Sequence, residues 1–509
     1  MVVLRRGLLL PVAPSGRSYR QEVMGRRDTT TGAAQVCARA SGETMKLIVQ
    51  PSQLSGTVPI PGSKSHTIRG VMIASLAEGT SVLRSPLNSA DAEAAVRVCR
   101  GLGAEIAYPP APSLNREGEN GNDNRDGDGP DPEWRIRGVG GKVRVPDDVL
   151  DVGNSGTTLY VAAAAAALAE GYSVFTGDEQ IRRRPVEPLL AALNDLGAEA
   201  FTTRGNGCAP LVIHGPLRGG RAAIKCHSSQ YLTALLLSCP LAQGDTEIEV
   251  LELSEHPYVE MTLHWLDRQG IWYEREGLEH FKIPGRQGYR AFDQTIPADW
   301  SSATFFLCAG AIGTPCSLWE GSPEPESRGL ETAPTKEIRL TGLDLTDPQG
   351  DKAVVDMLRK MGAEIVEEGG AIVVRGGSLR GAELDLNATP DALPMLAVTA
   401  CFAEGETRLV NVAQARLKET DRLAVMAEEL RKMGADATER EDGLVIQGSR
   451  LHGAHVNGHG DHRVVMALAV AGCFAEGMTE IDTAEAMAVT FPDFAELMCG
   501  LGGKVTVEG

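Results

Sequence analysis

The stretch VVDMLRKMGAEIVEE, residues 354–368, decides the fold of this chain. It reads as an amphipathic helix, then an apolar residue and a glycine, then a strand. Gly362 stands where a left-handed residue ends a helix. The same unit recurs at irregular intervals as AAVRVCRGLGAEI, PLLAALNDLGAEA, MTLHWLDRQGIWYE, VMAEELRKMGADATE and FAELMCGLGGKVTVE, with the marker glycine at Gly103, Gly197, Gly270, Gly434 and Gly502. Six copies predict six helix–strand modules, three in each of two domains.

The 509 residues are enough for two large domains or three ordinary ones. Hydrophobic content of 42% and charged content of 23% fit an ordinary core. A net charge of −19 argues against general nucleic-acid binding and makes each basic cluster informative. Cations gathered inside an acidic chain point to a specific anionic small molecule. Ten cysteines are scattered without a CxxC pair, so most of them read as buried free thiols in a reducing compartment and not as a metal or redox site. No apolar run is long enough to span a membrane. The alanine run in residues 161–168 predicts a short helix packed closely on its neighbours.

Two segments break the modular pattern. Residues 1–44 hold arginines at positions 5, 6, 17, 20, 26, 27 and 39 against Glu22, Asp28 and Glu43. They read as a disordered extension, or as sequence upstream of the true start at Met45; an organelle transit peptide is the alternative. Residues 108–133, rich in Pro, Gly, Asn and Asp, predict a disordered acidic insertion. Asn122, Asn124, Asp126, Asp128 and Glu133 fall near calcium-loop offsets, but no helices flank them, so no calcium site is expected.

Five clusters sit at turns or helix starts. PGSKSHTIRG, residues 61–70, presents Lys64, Ser65 and Arg69. GNSGTT, residues 153–158, offers small residues and free N–H groups to an anion. IRRRPVEP, residues 181–188, aims Arg184 ahead of a helix start at Pro185. HSSQYLTALL, residues 227–236, brings Ser228, Ser229 and Gln230, one of the serines being an ordinary helix cap. The fifth is split between ARLKETDR, residues 415–422, and GDHR, residues 460–463. There Lys418 and Arg422, four apart, are expected to share a helix face beside Glu419, with Glu419 and Asp421 available to neutralise them. Together the clusters describe a cleft for substrates bearing phosphate and carboxylate. Asp391, between a proline corner and an apolar helix, is a cap by default and also a candidate for proton transfer. Asp299, in the similar IPADWSSATFFL, reads as a structural cap.

PGSKSHTIR, GNSGTT, RRP, SSQYLTALL, PYVEMT, DWSSA, PDALPMLA, KETDRL, GDHRVVMAL and TFPDF occur in this order. In them the chain resembles the 3-phosphoshikimate 1-carboxyvinyltransferase (5-enolpyruvylshikimate-3-phosphate synthase) family, from about residue 45 to residue 509. The resemblance implies an α/β fold of two similar domains, each of three repeated α/β units in an inside-out barrel-like arrangement, with helix N-termini lining the cleft between them. The domains it implies are 45–61 plus 298–509, and 62–297. It implies transfer of the enolpyruvyl group of phosphoenolpyruvate to the 5-hydroxyl of shikimate 3-phosphate, through a tetrahedral intermediate and with no metal or organic cofactor. Ser65, Arg69, Ser228, Ser229 and Gln230 would hold shikimate 3-phosphate, helped by Tyr258 and Lys418. Lys64, Gly156, Arg184, Gln230, Arg422 and Arg463 would hold phosphoenolpyruvate. Asp391 would accept the hydroxyl proton, and Glu419 with Lys64 would serve the methylene carbon and the leaving phosphate. A cytoplasmic monomer without nucleic-acid or membrane partners is expected, or a plastid protein if residues 1–44 are a transit peptide.

Three positions depart from the family pattern. Tyr160 stands where an arginine is usual, Val489 where a lysine is frequent, and Glu255 where a serine usually precedes the PY pair. The first two remove positive charge from the phosphoenolpyruvate side, with Arg183 and Lys225 as nearby replacements, and they leave sensitivity to glyphosate, which would meet the backbone at Gly156, undetermined. The competing readings are a non-catalytic binder of phosphorylated metabolites, the sister transferase acting on UDP-N-acetylglucosamine, and an RNA 3′-phosphate cyclase-like protein.

Overall fold

In the computed structural model the helix Val354–Met361 buries Val354, Val355, Leu358 and Met361 and turns Asp356, Arg359 and Lys360 to solvent. Gly362 ends it at φ +105°, its N–H donating to the Arg359 carbonyl and that of Ala363 to the Leu358 carbonyl, both at 2.9 Å. A side chain in this conformation costs about 1–2 kcal/mol, which is why the module needs glycine. The other five marker glycines share the left-handed conformation, with φ from +67° to +107°. The strand Glu364–Glu368 then pairs antiparallel with Ala371–Arg375 through Gly369 and Gly370, both at positive φ as a tight two-residue hairpin requires.

The structure describes residues 45–107, 132–313 and 337–509, all within one compact unit. The readings of residues 1–44, the calcium-loop offsets before Glu133, and Cys37 and Cys316 lie outside them. Among the described residues there are six four-stranded sheets of one design. In each, an edge strand runs parallel to a central strand, which pairs antiparallel with a third strand that pairs antiparallel with the strand following a marker glycine. In one sheet, for example, Glu337–Thr341 runs parallel to Gly56–Pro59 and antiparallel to Ala371–Arg375. In another the strand Lys46–Gln50 lies between Thr479–Asp482 and Lys504–Glu508, so the first and last described strands pair in one sheet. Glu133, assigned from the sequence to the insertion, instead opens the strand Glu133–Arg137 and pairs with Arg84 at 2.9 Å.

Six further helices are not amphipathic. Trp300–Ile312, Leu393–Cys401 and His462–Phe474 are buried at every position. Lys64–Leu76, Gly156–Ala166 and Ser229–Ser238 are buried except at Lys64, Ser65, Thr157 and Gln230, all in a first turn. A helix apolar all round has to be enclosed, and the outer amphipathic helices and sheets enclose these six. Two hydrophobic cores result. One runs from Ile68 to Ile296 and contains Trp134 and Trp265. The other joins Met45–Ile60 to residues after Ala298 and contains Trp300, Phe305, Phe306, Phe491 and Phe494.

The chain passes between the cores twice, and the two crossings are bonded to each other. The Ser63 N–H donates to the Pro297 carbonyl at 2.8 Å and the Asp299 N–H to the Pro61 carbonyl at 2.9 Å. A Cβ on Gly62 would stand 2.3 Å from the Ser85 carbonyl oxygen, so this corner admits only glycine.

Gly362→Val is expected to lower stability by about 1–3 kcal/mol, because the branched side chain must take the left-handed conformation. Gly500→Ala, where a Cβ would meet open space, is expected to be neutral or slightly stabilising. Urea unfolding midpoints of the two variants check this.

Candidate active site

The first turns of five of the six buried helices converge, and with them the polar residues that the apolar helices leave over. Lys64, Ser65 and Arg69 come from the helix Lys64–Leu76, and Gly156 and Thr157 from Gly156–Ala166. Ser228 caps Ser229–Ser238, accepting the Gln230 N–H at 3.4 Å. From the other core come Asp391, in the turn Pro390–Ala392, and Asp461 and Arg463 around the start of His462–Phe474. Lys64, Ser65, Arg69, Thr157, Ser229, Gln230, Glu255, Tyr258, Asp391 and Lys418 line one cavity. A second, contiguous through Gln230, Glu255 and Lys418, adds Arg184 and Ser228.

Arg69 is 2% exposed and has no carboxylate partner among the described residues. Its guanidinium donates to the hydroxyls of Thr262 (3.0 Å) and Thr233 (3.3 Å) and to the carbonyls of Ser65 and Tyr258 (both 3.0 Å). Burial pulls it down to about 10, so it stays charged at neutral pH. A buried, fixed and uncompensated cation is a ready anion site.

The other cations are neutralised internally. Arg184 meets Glu419 at 2.8 Å. Arg422 is shared among Asp461 (2.7 Å), Asp391 (2.8 Å) and Glu419 (2.6 Å). Arg463 meets Asp391 at 3.0 Å, and Lys64 meets Asp91 at 3.3 Å. Burial alone would raise Asp391, but Arg463, Lys418, Arg422 and Lys64 outweigh it and hold the carboxyl far below the usual range. Glu419 is likewise held well down against its burial, by Arg184 and Arg422 first. A Cβ on Gly156 would stand 2.4 Å from the Arg184 guanidinium and 3.5 Å from the Gln230 amide oxygen, which brings these three residues together.

All the site residues named from the sequence are thus in one place, but several local readings change. Lys418 and Arg422 do not share a helix face. The helix begins at Arg422, and Lys418 lies in the bend before it because Asp421 caps the helix, accepting the Ala424 N–H at 3.1 Å. Asp421 pairs with Arg416 at 2.7 Å, leaving Glu419 to neutralise Arg422. Asp391 makes no capping bond and is given over to the cations. Asp299 stands at a cap position, but its carboxylate accepts from the Ser302 hydroxyl at 2.8 Å. The helix after Arg184 starts at Glu187, not Pro185. Arg183 is exposed and paired with Glu179, and Lys225 is exposed on a strand, so neither supplies the missing charge. Tyr160 instead braces the segment carrying Arg184. Its hydroxyl and that of Tyr231 both donate to the Pro185 carbonyl, at 3.1 and 2.8 Å.

Sequence reasoning did not pick out Asp91, Asp351 and His462. Asp351 accepts the Tyr258 hydroxyl at 2.8 Å from across the cleft. His462 is 1% exposed, and burial holds it well below its usual pKa, hence neutral, beside Glu419 and Lys64. His462 lay inside the quoted GDHR; Asp91 and Asp351 carry no local signal and are brought in by the fold.

The EPSP synthase (3-phosphoshikimate 1-carboxyvinyltransferase) family profile matches residues 48–316 and 332–498. A 3-phosphoshikimate 1-carboxyvinyltransferase of Ruminiclostridium cellulolyticum is 51% identical over 461 residues, covering 91% of this chain and 99% of that protein. One from Methanocella arvoryzae is 44% identical, covering 90% and 99%. An EPSP synthase structure from Acinetobacter baumannii superposes with a TM-score of 0.71 at 27% identity, covering 92% of this chain and all of that one.

Asp351 gives a pH signature. Burial, reinforced by Asp391, pushes its carboxyl up to about 7, while Arg463 and the Tyr258 hydroxyl pull the other way and Asp299 adds a small upward push. Between about pH 4 and 7 the folded protein holds a proton that the unfolded chain has lost, so stability falls as pH rises through that window. Asp351→Asn is expected to gain about 2 kcal/mol on the wild type between pH 5 and pH 8, read from denaturant unfolding at the two pH values.

Proposed function

The chain belongs to the EPSP synthase family, and on that premise we propose that Asp391, Glu419 and Lys64 carry the proton transfers of its reaction. The protein is an enolpyruvyl transferase of the shikimate pathway, acting in aromatic amino-acid biosynthesis. It moves the enolpyruvyl group of phosphoenolpyruvate to the 5-hydroxyl of shikimate 3-phosphate and releases phosphate. The observation that carries the residue assignment is the set of arginines around Asp391 and Glu419, beside the uncompensated Arg69.

Shikimate 3-phosphate is assigned to Ser65, Arg69, Ser228, Ser229, Gln230, Tyr258 and Lys418. Phosphoenolpyruvate is assigned to Lys64, Gly156, Arg184, Gln230, Arg422 and Arg463. The 5-hydroxyl oxygen attacks the central carbon of phosphoenolpyruvate, its proton passes to Asp391, and the methylene carbon takes a proton from the Glu419–Lys64 pair. This gives the tetrahedral adduct. The bond to the phosphate oxygen then breaks as Lys64 protonates the leaving phosphate, a proton from the new methyl group returns to Glu419 and restores the enol ether, and the proton held by Asp391 replaces the one Lys64 gave up. In the free protein the arginines hold Asp391 and Glu419 too acidic for this work. Phosphoenolpyruvate draws the same arginines to itself, which raises both carboxyls toward a useful range. Helix N-termini and cations aimed at the developing charge supply the electrostatic stabilisation.

The two cores and the paired crossings support domain boundaries at 45–61 plus 298–509 and at 62–297, with closure about the crossings excluding water. A single chain completes the site, so a monomer suffices. The free cysteines among the described residues fit a reducing compartment such as the cytoplasm, and the net negative charge disfavours nucleic acid.

Phosphate release from phosphoenolpyruvate is expected to require shikimate 3-phosphate and to fall by about 10²–10⁴ in Asp391→Asn. Release without the second substrate, or an unimpaired variant, would remove Asp391 from the mechanism. Gly156→Ala is expected to displace Arg184 and raise the KM for phosphoenolpyruvate by about tenfold, near 1.4 kcal/mol. Initial rates at varied phosphoenolpyruvate check it.

A further inference from the structure

Glu255 is the carboxylate that faces the serine hydroxyls assigned to the substrate. It is 1% exposed and sits at the start of the helix His256–Gln269 with φ +61°, a conformation that glutamate rarely takes. One carboxylate oxygen accepts three donors: the Ser229 N–H at 3.1 Å, the Ser229 hydroxyl at 2.8 Å and the Ser228 hydroxyl at 3.4 Å. The other oxygen accepts from the Lys418 ammonium, which comes from the opposite core. Two hydroxyls, a peptide N–H at a helix start and an ammonium are the donor set of a phosphate cradle. In the free protein an internal carboxylate fills it.

We propose that Glu255 is a built-in competitor for the phosphate of shikimate 3-phosphate and that it sets the affinity for that substrate. The proposal rests on the assignment of Ser228 and Ser229 to shikimate 3-phosphate. Two anions cannot share these donors, because like charges brought into one buried donor set repel. Phosphate therefore enters only as the carboxylate leaves, and the free energy of the carboxylate's own bonds is subtracted from the affinity. Because Glu255 also ties Lys418 across the cleft, its departure frees Lys418 for the incoming phosphate. Glu255 thus acts as a rival acceptor, and it lowers the affinity of every phosphate ligand of these donors by the same factor.

The test compares wild type with Glu255→Gln, which keeps the size and removes the charge, and Glu255→Asn, whose shorter side chain better tolerates the left-handed backbone. Binding of shikimate 3-phosphate is measured by calorimetry, inhibition by inorganic phosphate by initial rates, and folding by thermal melting. At least one folded variant is expected to bind shikimate 3-phosphate at least fivefold more tightly, with inorganic phosphate inhibiting at correspondingly lower concentration and the KM for phosphoenolpyruvate unmoved. Folded variants that bind shikimate 3-phosphate no better than wild type overturn the proposal, since a merely structural Glu255 would leave affinity equal or weaker. A wild type that neither binds nor consumes shikimate 3-phosphate overturns the substrate assignment instead, a different and separable result.

Discussion

Every α-helix leaves peptide N–H groups unsatisfied at its start, and its dipole places about half a positive charge there. In this protein six apolar helices are buried along their length, so those starts are the places where polarity has to come out. The first turns around Lys64, Gly156, Ser229, Asp391 and His462 meet with Arg69, Arg184, Arg422 and Lys418 in one cleft. Most of that buried positive charge is balanced by carboxylates beside it, Asp91, Asp391, Glu419, Asp461 and Glu255, while Arg69 has none among the described residues. Substrate anions have to compete with these carboxylates, so binding and acid–base chemistry are coupled from the outset.

The two halves meet through polar contacts across the cleft and through a hydrogen-bonded joint at the crossings. Arg184 with Glu419, Lys418 with Glu255, Tyr258 with Asp351, and the Gln180 amide on the Gly460 carbonyl at 3.2 Å all cross the cleft. Such contacts can be exchanged for substrate contacts without exposing apolar surface. At the joint, the Trp265 indole donates to His66 Nδ1 at 2.9 Å, which leaves Nε2 to carry the proton toward Asp347 at 3.2 Å. Gln349 adds bonds to the Ala298 carbonyl and the Trp300 N–H at 2.9 and 3.0 Å. These bonds brace the paired crossings about which the proposed closure turns.

The modular fold was legible because its signal is local. A glycine that must be left-handed after an apolar helix face marks each module, and six such glycines correspond to six sheets. The site was legible in part for the same reason: Lys64, Ser65, Gly156, Ser228 and Ser229 lie beside turns that the sequence itself announces. Where the local rule has a competitor, the reading slipped. Lys418 and Arg422 have helical spacing, yet Asp421 captures the Ala424 N–H and delays the helix to Arg422. Asp391 reads as a cap in the sequence, yet it lies within the turn Pro390–Ala392 and three cations take its carboxylate. Tyr160 looked like a lost charge and proved to be a brace for Pro185, a role that depends on a residue 25 positions away.

The sequence by itself determined the modules, their number, the family and the roster of ionisable groups, because each rests on neighbours within a turn or two of chain. Only the tertiary structure decided which carboxylate answers which cation. The Asp351–Tyr258, Glu255–Lys418 and Arg184–Glu419 pairs join residues 93, 163 and more than 200 positions apart, and no local pattern encodes them. Burial then fixed what those pairs mean: the same groups in water would titrate normally and interact weakly. Enclosed between two cores they set one another's charge state, and with it the chemistry of the cleft.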